Sequence, residues 1–213
     1  MTSAVNAEIS AIHRFGGGPV RLVALFFVSG IAALIYQVCW QRLLFVAFGV
    51  DIESVTIIVS SFMLGLGVGA LLGGELSDRY PQRALPMFAA IELAIAAFGI
   101  VSPNLIHGAG VLAVRSPLPV IASVNFLLLL FPTMLMGATL PILVRHVMRV
   151  YQNVGVSIGL LYFANTLGAA FGAALSGMLV LYYFGLAATI YLAAFLNISV
   201  SAAVWFGLRA RHV

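Results

Sequence analysis

The chain has 213 residues, of which 63% are hydrophobic and 8% charged, with a mean hydropathy of +1.15. An average soluble domain is about half apolar and about a quarter charged, so this composition excludes an ordinary soluble enzyme and makes lipid the solvent. The net charge of +4 comes from ten arginines and no lysine against six acids; in a membrane chain such an excess sets topology, and nucleic acid is excluded as a partner.

Met1 to Pro19 is polar and contains Gly16, Gly17 and Gly18, and it reads as an N-terminal cytoplasmic tail ahead of a membrane domain spanning 20–208. The first span runs from Leu22 to about Leu44. It is longer than a signal peptide's apolar region of ~7 to 15 residues and lacks a small-residue cleavage site, so a retained helix is expected. Its single-cysteine content, Cys39, gives no disulfide framework and no cysteine metal site. Asp51 and Glu53 precede a second span, Val55 to Gly73, in which Gly65, Gly69 and Gly73 recur every fourth residue. That spacing puts three residues without side chains in one row, a face that lets another helix approach closely.

The polar connection Gly74 to Arg83 leads to a third span from Ala84 to about Ile106, ended by Pro103, Asn104 and His107. A fourth runs from Leu118 to about Leu140, with Pro132 inside it and Pro141 just past its end, before a polar loop of Arg145, His146 and Arg149. The apolar run from Gly155 to Phe184 is long enough to require tilt, and Leu186 to Phe206 closes the domain before a short tail, 209–213. Counted over alternate connections, eight arginines fall on one side and only Arg42 and Arg115 on the other, which places both termini in the cytoplasm.

A shift of 103 residues lays Leu64–Gly74 onto Leu167–Gly177 with six of eleven positions identical, and lays Arg42 onto Arg145. Three spans per unit is an odd number, so the second unit would be inverted relative to the first. The expected fold is therefore an all-α membrane protein of six transmembrane helices in a 3+3 inverted repeat. Gly168 and Gly172 then form a packing row equivalent to that of Gly65 and Gly69.

The connection G-x-L-x-D-R-x-x-x-R, from Gly74 to Arg83, resembles the signature between the second and third helices of major facilitator superfamily transporters, and a six-helix 3+3 unit is half of such a transporter. More specifically, the chain resembles the membrane region of fused, membrane-bound spermidine synthase-like proteins. Ser29 to Leu44, Leu135 to Arg145, and Leu161 to Gly168 carry that resemblance. In that family the position of Gln37 is usually acidic, so a charge able to bind a cation or proton is missing here. The family's nucleotide-cofactor-binding, aminopropyltransferase-like domain has no counterpart before Val213, and there is no glycine-rich cofactor loop after a strand. The resemblance thus implies the fold without the enzyme activity: no catalytic residues, no cofactor, no metal.

Glu92 is the one acid placed well inside a span. Eight residues into its helix at ~1.5 Å each, it lies ~12 Å from the cytoplasmic end, near the middle of a hydrocarbon core ~30 Å thick. A carboxylate there is neutral, or held charged by an arginine or several donors, and it reads as a proton or cation site or as a helix-to-helix hydrogen bond. With Gln37 and Asn165 it forms the candidate intramembrane polar site. Asn125, Asn165 and Asn197 are expected to bond across helices. Tyr36, Trp40, Tyr182, Tyr183 and Trp205 are expected as interfacial anchors. Asp78, Arg79 and Arg83 read as a cytoplasmic charge cluster joining helix ends, or as a solvated loop that only fixes topology.

The leading functional expectation is a non-catalytic subunit or anchor in a bacterial inner membrane, surrounded by the lipid bilayer and packed against a protein partner or larger complex. The alternative is a half-size transporter working as a homodimer on an organic cation.

Overall fold

The computed structural model describes residues 18–48, 52–113, 116–151 and 153–209. Much of both expected tails lies outside these residues, as do Asp51 and Arg115. The described chain is helical: α1 (Gly18–Phe48), α2 (Ile52–Arg79), α3 (Ala84–Ala113), α4 (Leu118–Tyr151), α5 (Val154–Leu175) and α6 (Leu181–Arg209). Five stretches are long and apolar enough to cross a membrane, the last running from Val154 to Gly207. Within that stretch a π-helical turn, Ser176–Val180, follows α5. Gly185 then takes φ 73°, a left-handed conformation that breaks the helix where the sequence separates its last two apolar runs.

Helix ends differ from the sequence expectation at three places. Pro103 does not end the third span, since α3 continues to Ala113. Proline has no N–H for the carbonyl four residues back, here that of Gly99, and Ser102 Oγ donates to that oxygen at 2.8 Å. Pro141 likewise lies inside α4 together with Pro132, so Arg145, His146 and Arg149 ride on its last turns and do not form a loop. Earlier in α4 Thr133 Oγ1 donates to Leu129 O at 2.7 Å and Thr139 Oγ1 to Met136 O at 2.6 Å, neither of them the carbonyl four residues before a proline. Lastly, α2 extends to Arg79, leaving only Tyr80 and a 3₁₀ turn, Pro81–Arg83, as the connection.

The closest pairings are α2 with α4, α1 with α5 and α3 with α6. Glycines set the first two. A methyl group at Gly69 would run into the backbone of Met134, and at Gly65 into Thr133 and Leu130. On the other pair, Gly168 lies against Phe27 and Gly172 against Ile31. Gly73 faces Ala138 in the same manner. Backbones this close exchange the dispersion contacts that hold helices together in lipid, where no hydrophobic force acts between them.

Two apolar clusters fill the bundle. One contains Phe26, Phe88, Ile142, Leu143, Leu161 and Val204; the other contains Tyr36, Trp40, Phe62, Ile95, Leu129 and Ile190. Along α1 and α3 rising residue numbers lead from the first cluster to the second, and along α4 and α6 they lead back, so these helices alternate in direction. The first cluster's end of the bundle therefore holds the start of α1 with Arg21, the α2–α3 connection with Arg79 and Arg83, the last turns of α4 with Arg145 and Arg149, and the end of α6 with Arg209. Arg42, near the end of α1, lies at the other end.

Tyr36 and Trp40 are not interfacial. Both are 0% exposed, their rings stack at 4.8 Å, and Trp40 Nε1 donates to Ser102 Oγ at 2.8 Å. Their position near a helix end is misleading because α1 and α3 both continue past that level. Tyr182, Tyr183 and Trp205 are exposed.

Candidate functional site: a polar layer across the bundle

Between the two apolar clusters lies a cavity of about 70 Å³ to which every helix contributes. Its polar lining is Ser29 and Gln37 from α1, Thr139 from α4, Asn165 from α5 and Asn197 from α6. Ala33, Phe62, Leu66, Ile95 and Met136 supply the apolar wall. A water needs at least ~10–15 Å³ of such space, so the cavity has room for several waters or one small polar group.

Glu92 is fully buried next to this layer. Ser29 Oγ, from the cavity wall, donates to Glu92 Oε1 at 2.6 Å, while Glu92 Oε2 has no hydrogen-bond partner among the described residues. No arginine is paired with it there. Asn197, 2% exposed, also leaves Oδ1 without a partner, as does Asn125, so the expected cross-helix bonds from these oxygens are not formed. The layer thus holds unspent acceptors in surroundings where an unpaired polar atom is costly. Gln37 and Asn165, expected to accompany Glu92, do line the cavity, and Glu92 joins them through Ser29.

Sequence reasoning singled out neither Ser29 nor Thr139. A signal was nonetheless present: Ser29, Ala33, Gln37, Met136, Thr139 and Asn165 all fall within the three stretches that carry the family resemblance. Those stretches lie far apart in the chain, and their polar members meet at one cavity.

The charged residues lie elsewhere, at the end of the bundle. Asp78 Oδ1 stands 3.3 Å from Arg145 Nε on α4, and Arg149 Nη1 donates to Gln82 Oε1 at 3.1 Å. Arg79 and Arg83 instead lie over the Tyr80 ring, at 5.7 and 5.8 Å. The three expected cluster residues therefore do not pair among themselves: Asp78 links α2 to α4, and the two arginines flank one aromatic ring. The pair is solvent-exposed and contributes little stability. Among the described residues no three His, Cys, Asp or Glu side chains are grouped to hold a metal ion.

The chain is similar to a polyamine aminopropyltransferase of Oceanobacillus iheyensis, with 27% identity over 193 residues that cover 88% of this chain and 36% of that protein. It thus spans about a third of the length of this curated relative. No protein-family model and no solved structure matches it.

Proposed function

We propose that the chain is a non-catalytic integral membrane unit that packs against a partner protein at a bacterial inner membrane, in the manner of the membrane part of a polyamine aminopropyltransferase. The observation that carries this reading is the similarity itself, which takes in 88% of this chain and falls on residues that fold as apolar helices. The partner that fits is a soluble protein on the cytoplasmic side supplying aminopropyl-transfer chemistry.

The proposed arrangement is six spans in a 3+3 inverted repeat with both termini cytoplasmic. The 103-residue shift supports the repeat in three dimensions: it carries the contact of Gly69 with Met134 onto that of Gly172 with Ile31, and Gly65 with Leu130 onto Gly168 with Phe27. It likewise exchanges the α2–α4 and α1–α5 pairings. Orientation is supported by the arginines gathered at the end where α1 begins and α6 ends.

A second reading, a half-size transporter acting as a homodimer on an organic cation, is favoured by the polar cavity at the centre of the bundle. Aminopropyl transfer tests the first. The purified chain alone is expected to give no turnover, and turnover by it would overturn the non-catalytic role.

A further inference from the structure

The corner where α2 turns into α3 carries more positive charge than its acids compensate. Arg79 and Arg83 lie over the exposed Tyr80 ring, and Arg149 reaches the same turn through its bond to Gln82. Arg145 is taken up by Asp78, and Glu75, one turn before Arg79 on α2, makes no ion pair among the described residues. Four arginines against two acids leave the corner with a net charge of +2. An aromatic ring restrains a guanidinium without neutralising it, so Arg79 and Arg83 are held in place with their charge unspent. Neither has an ion pair among the described residues, and Arg79, Arg83 and Arg149 are all exposed.

This charge adjoins an apolar surface. Leu72 and Leu76 are exposed on α2 at a spacing of four, and Tyr80 N still donates to Leu76 O at 3.0 Å, so Tyr80 completes the same side of the helix. Both leucines belong to the apolar stretch Val55–Arg79 that is long enough to cross a membrane. An exposed leucine there is matched by acyl chains, which are as apolar as leucine itself. We propose that this corner binds an anionic phospholipid, its phosphate held by Arg79, Arg83 and Arg149 and an acyl chain lying along Leu76 and Leu72. Guanidinium forks take phosphate oxygens in paired, charge-assisted hydrogen bonds, and arginines at a membrane surface attract anionic lipid. A soluble acidic protein would meet the same charges and leave the leucines uncovered. The proposal rests on the bundle being embedded in lipid and not on the partner reading.

The test is native mass spectrometry of the purified full chain in neutral detergent with added dioleoyl phosphatidylglycerol or dioleoyl phosphatidylcholine. Retention of phosphatidylglycerol is expected, with phosphatidylcholine roughly tenfold weaker. Arg79→Gln and Arg83→Gln should each weaken phosphatidylglycerol about fivefold, while Arg42→Gln, at the other end of the bundle, leaves it unchanged. Should the variants fail to fold, the wild-type melting temperature serves instead: phosphatidylglycerol raises it, and the rise is lost in high salt. Equal retention of the two lipids, equal binding by all three variants, or no rise in melting temperature would overturn the proposal. Displacement of the lipid by equimolar glycerol 3-phosphate would overturn it in favour of a soluble phosphate, and displacement by a polyglutamate peptide in favour of an acidic protein. Binding needs neither a partner protein nor a given orientation, so it can fail while the anchor reading stands, and the reverse.

Discussion

Ser102 shows how much a single hydroxyl does in this bundle. It accepts from Trp40 Nε1 and donates to the Gly99 carbonyl released by Pro103. Ser102→Ala strands both buried groups, and a loss of roughly 2–5 kcal/mol is expected from two unsatisfied partners. Ser123, which is exposed and bonds only the Pro119 carbonyl of its own helix, provides the comparison: Ser123→Ala should change the melting temperature little. Equal shifts in the two variants would contradict the hydrogen-bond account. Glu92 and Ser29 illustrate the limits of reading residues in order. That Glu92 is buried follows from its place in an apolar run, but its partner is 63 positions away, and nothing in the spacing selects Ser29 over the chain's other serines. Trp40 was misplaced for a related reason: proximity to the end of a hydrophobic run marks the membrane interface only if the neighbouring helix ends at the same level.

At the scale of the helix, Gly69 and Gly172 touch another backbone, while Gly67 faces open space. Gly69→Ala and Gly172→Ala each place a methyl group against a backbone carbonyl that no rotamer change can move, and are expected to cost about 1–3 kcal/mol as overpacking. Gly67→Ala meets nothing within 4 Å and should be neutral or slightly stabilising. Thermal unfolding of the three variants in one detergent checks this, and a Gly67→Ala loss as large as the others would contradict the close-approach geometry. The spacing of Gly65, Gly69 and Gly73 made this face legible, because a period of four repeats along one side of a helix. Proline was the poor guide at this scale. Pro103 and Pro141 look like helix ends when a freed carbonyl is assumed to need water, whereas Ser102 offers its hydroxyl to the very carbonyl that Pro103 frees.

For the whole molecule, the apolar helices were readable from composition, while the convergence of Ser29, Thr139, Asn165 and Asn197 on one cavity was not, since it depends on which helices become neighbours. Orientation has a simple check, because Cys39 is buried and leaves the wild-type chain silent to a membrane-impermeant maleimide. Pro117→Cys, on the α3–α4 connection, is expected to label in intact cells, and Tyr80→Cys only after permeabilisation; the reverse pattern would invert the topology. The account's central claim, a membrane unit built to hold a partner, is tested most directly by the native mass of the chain extracted in mild detergent from the membranes of its own cells. A stoichiometric complex of this chain with a soluble protein that transfers aminopropyl groups is the predicted result, and a clean homodimer of this chain with nothing else bound would contradict it.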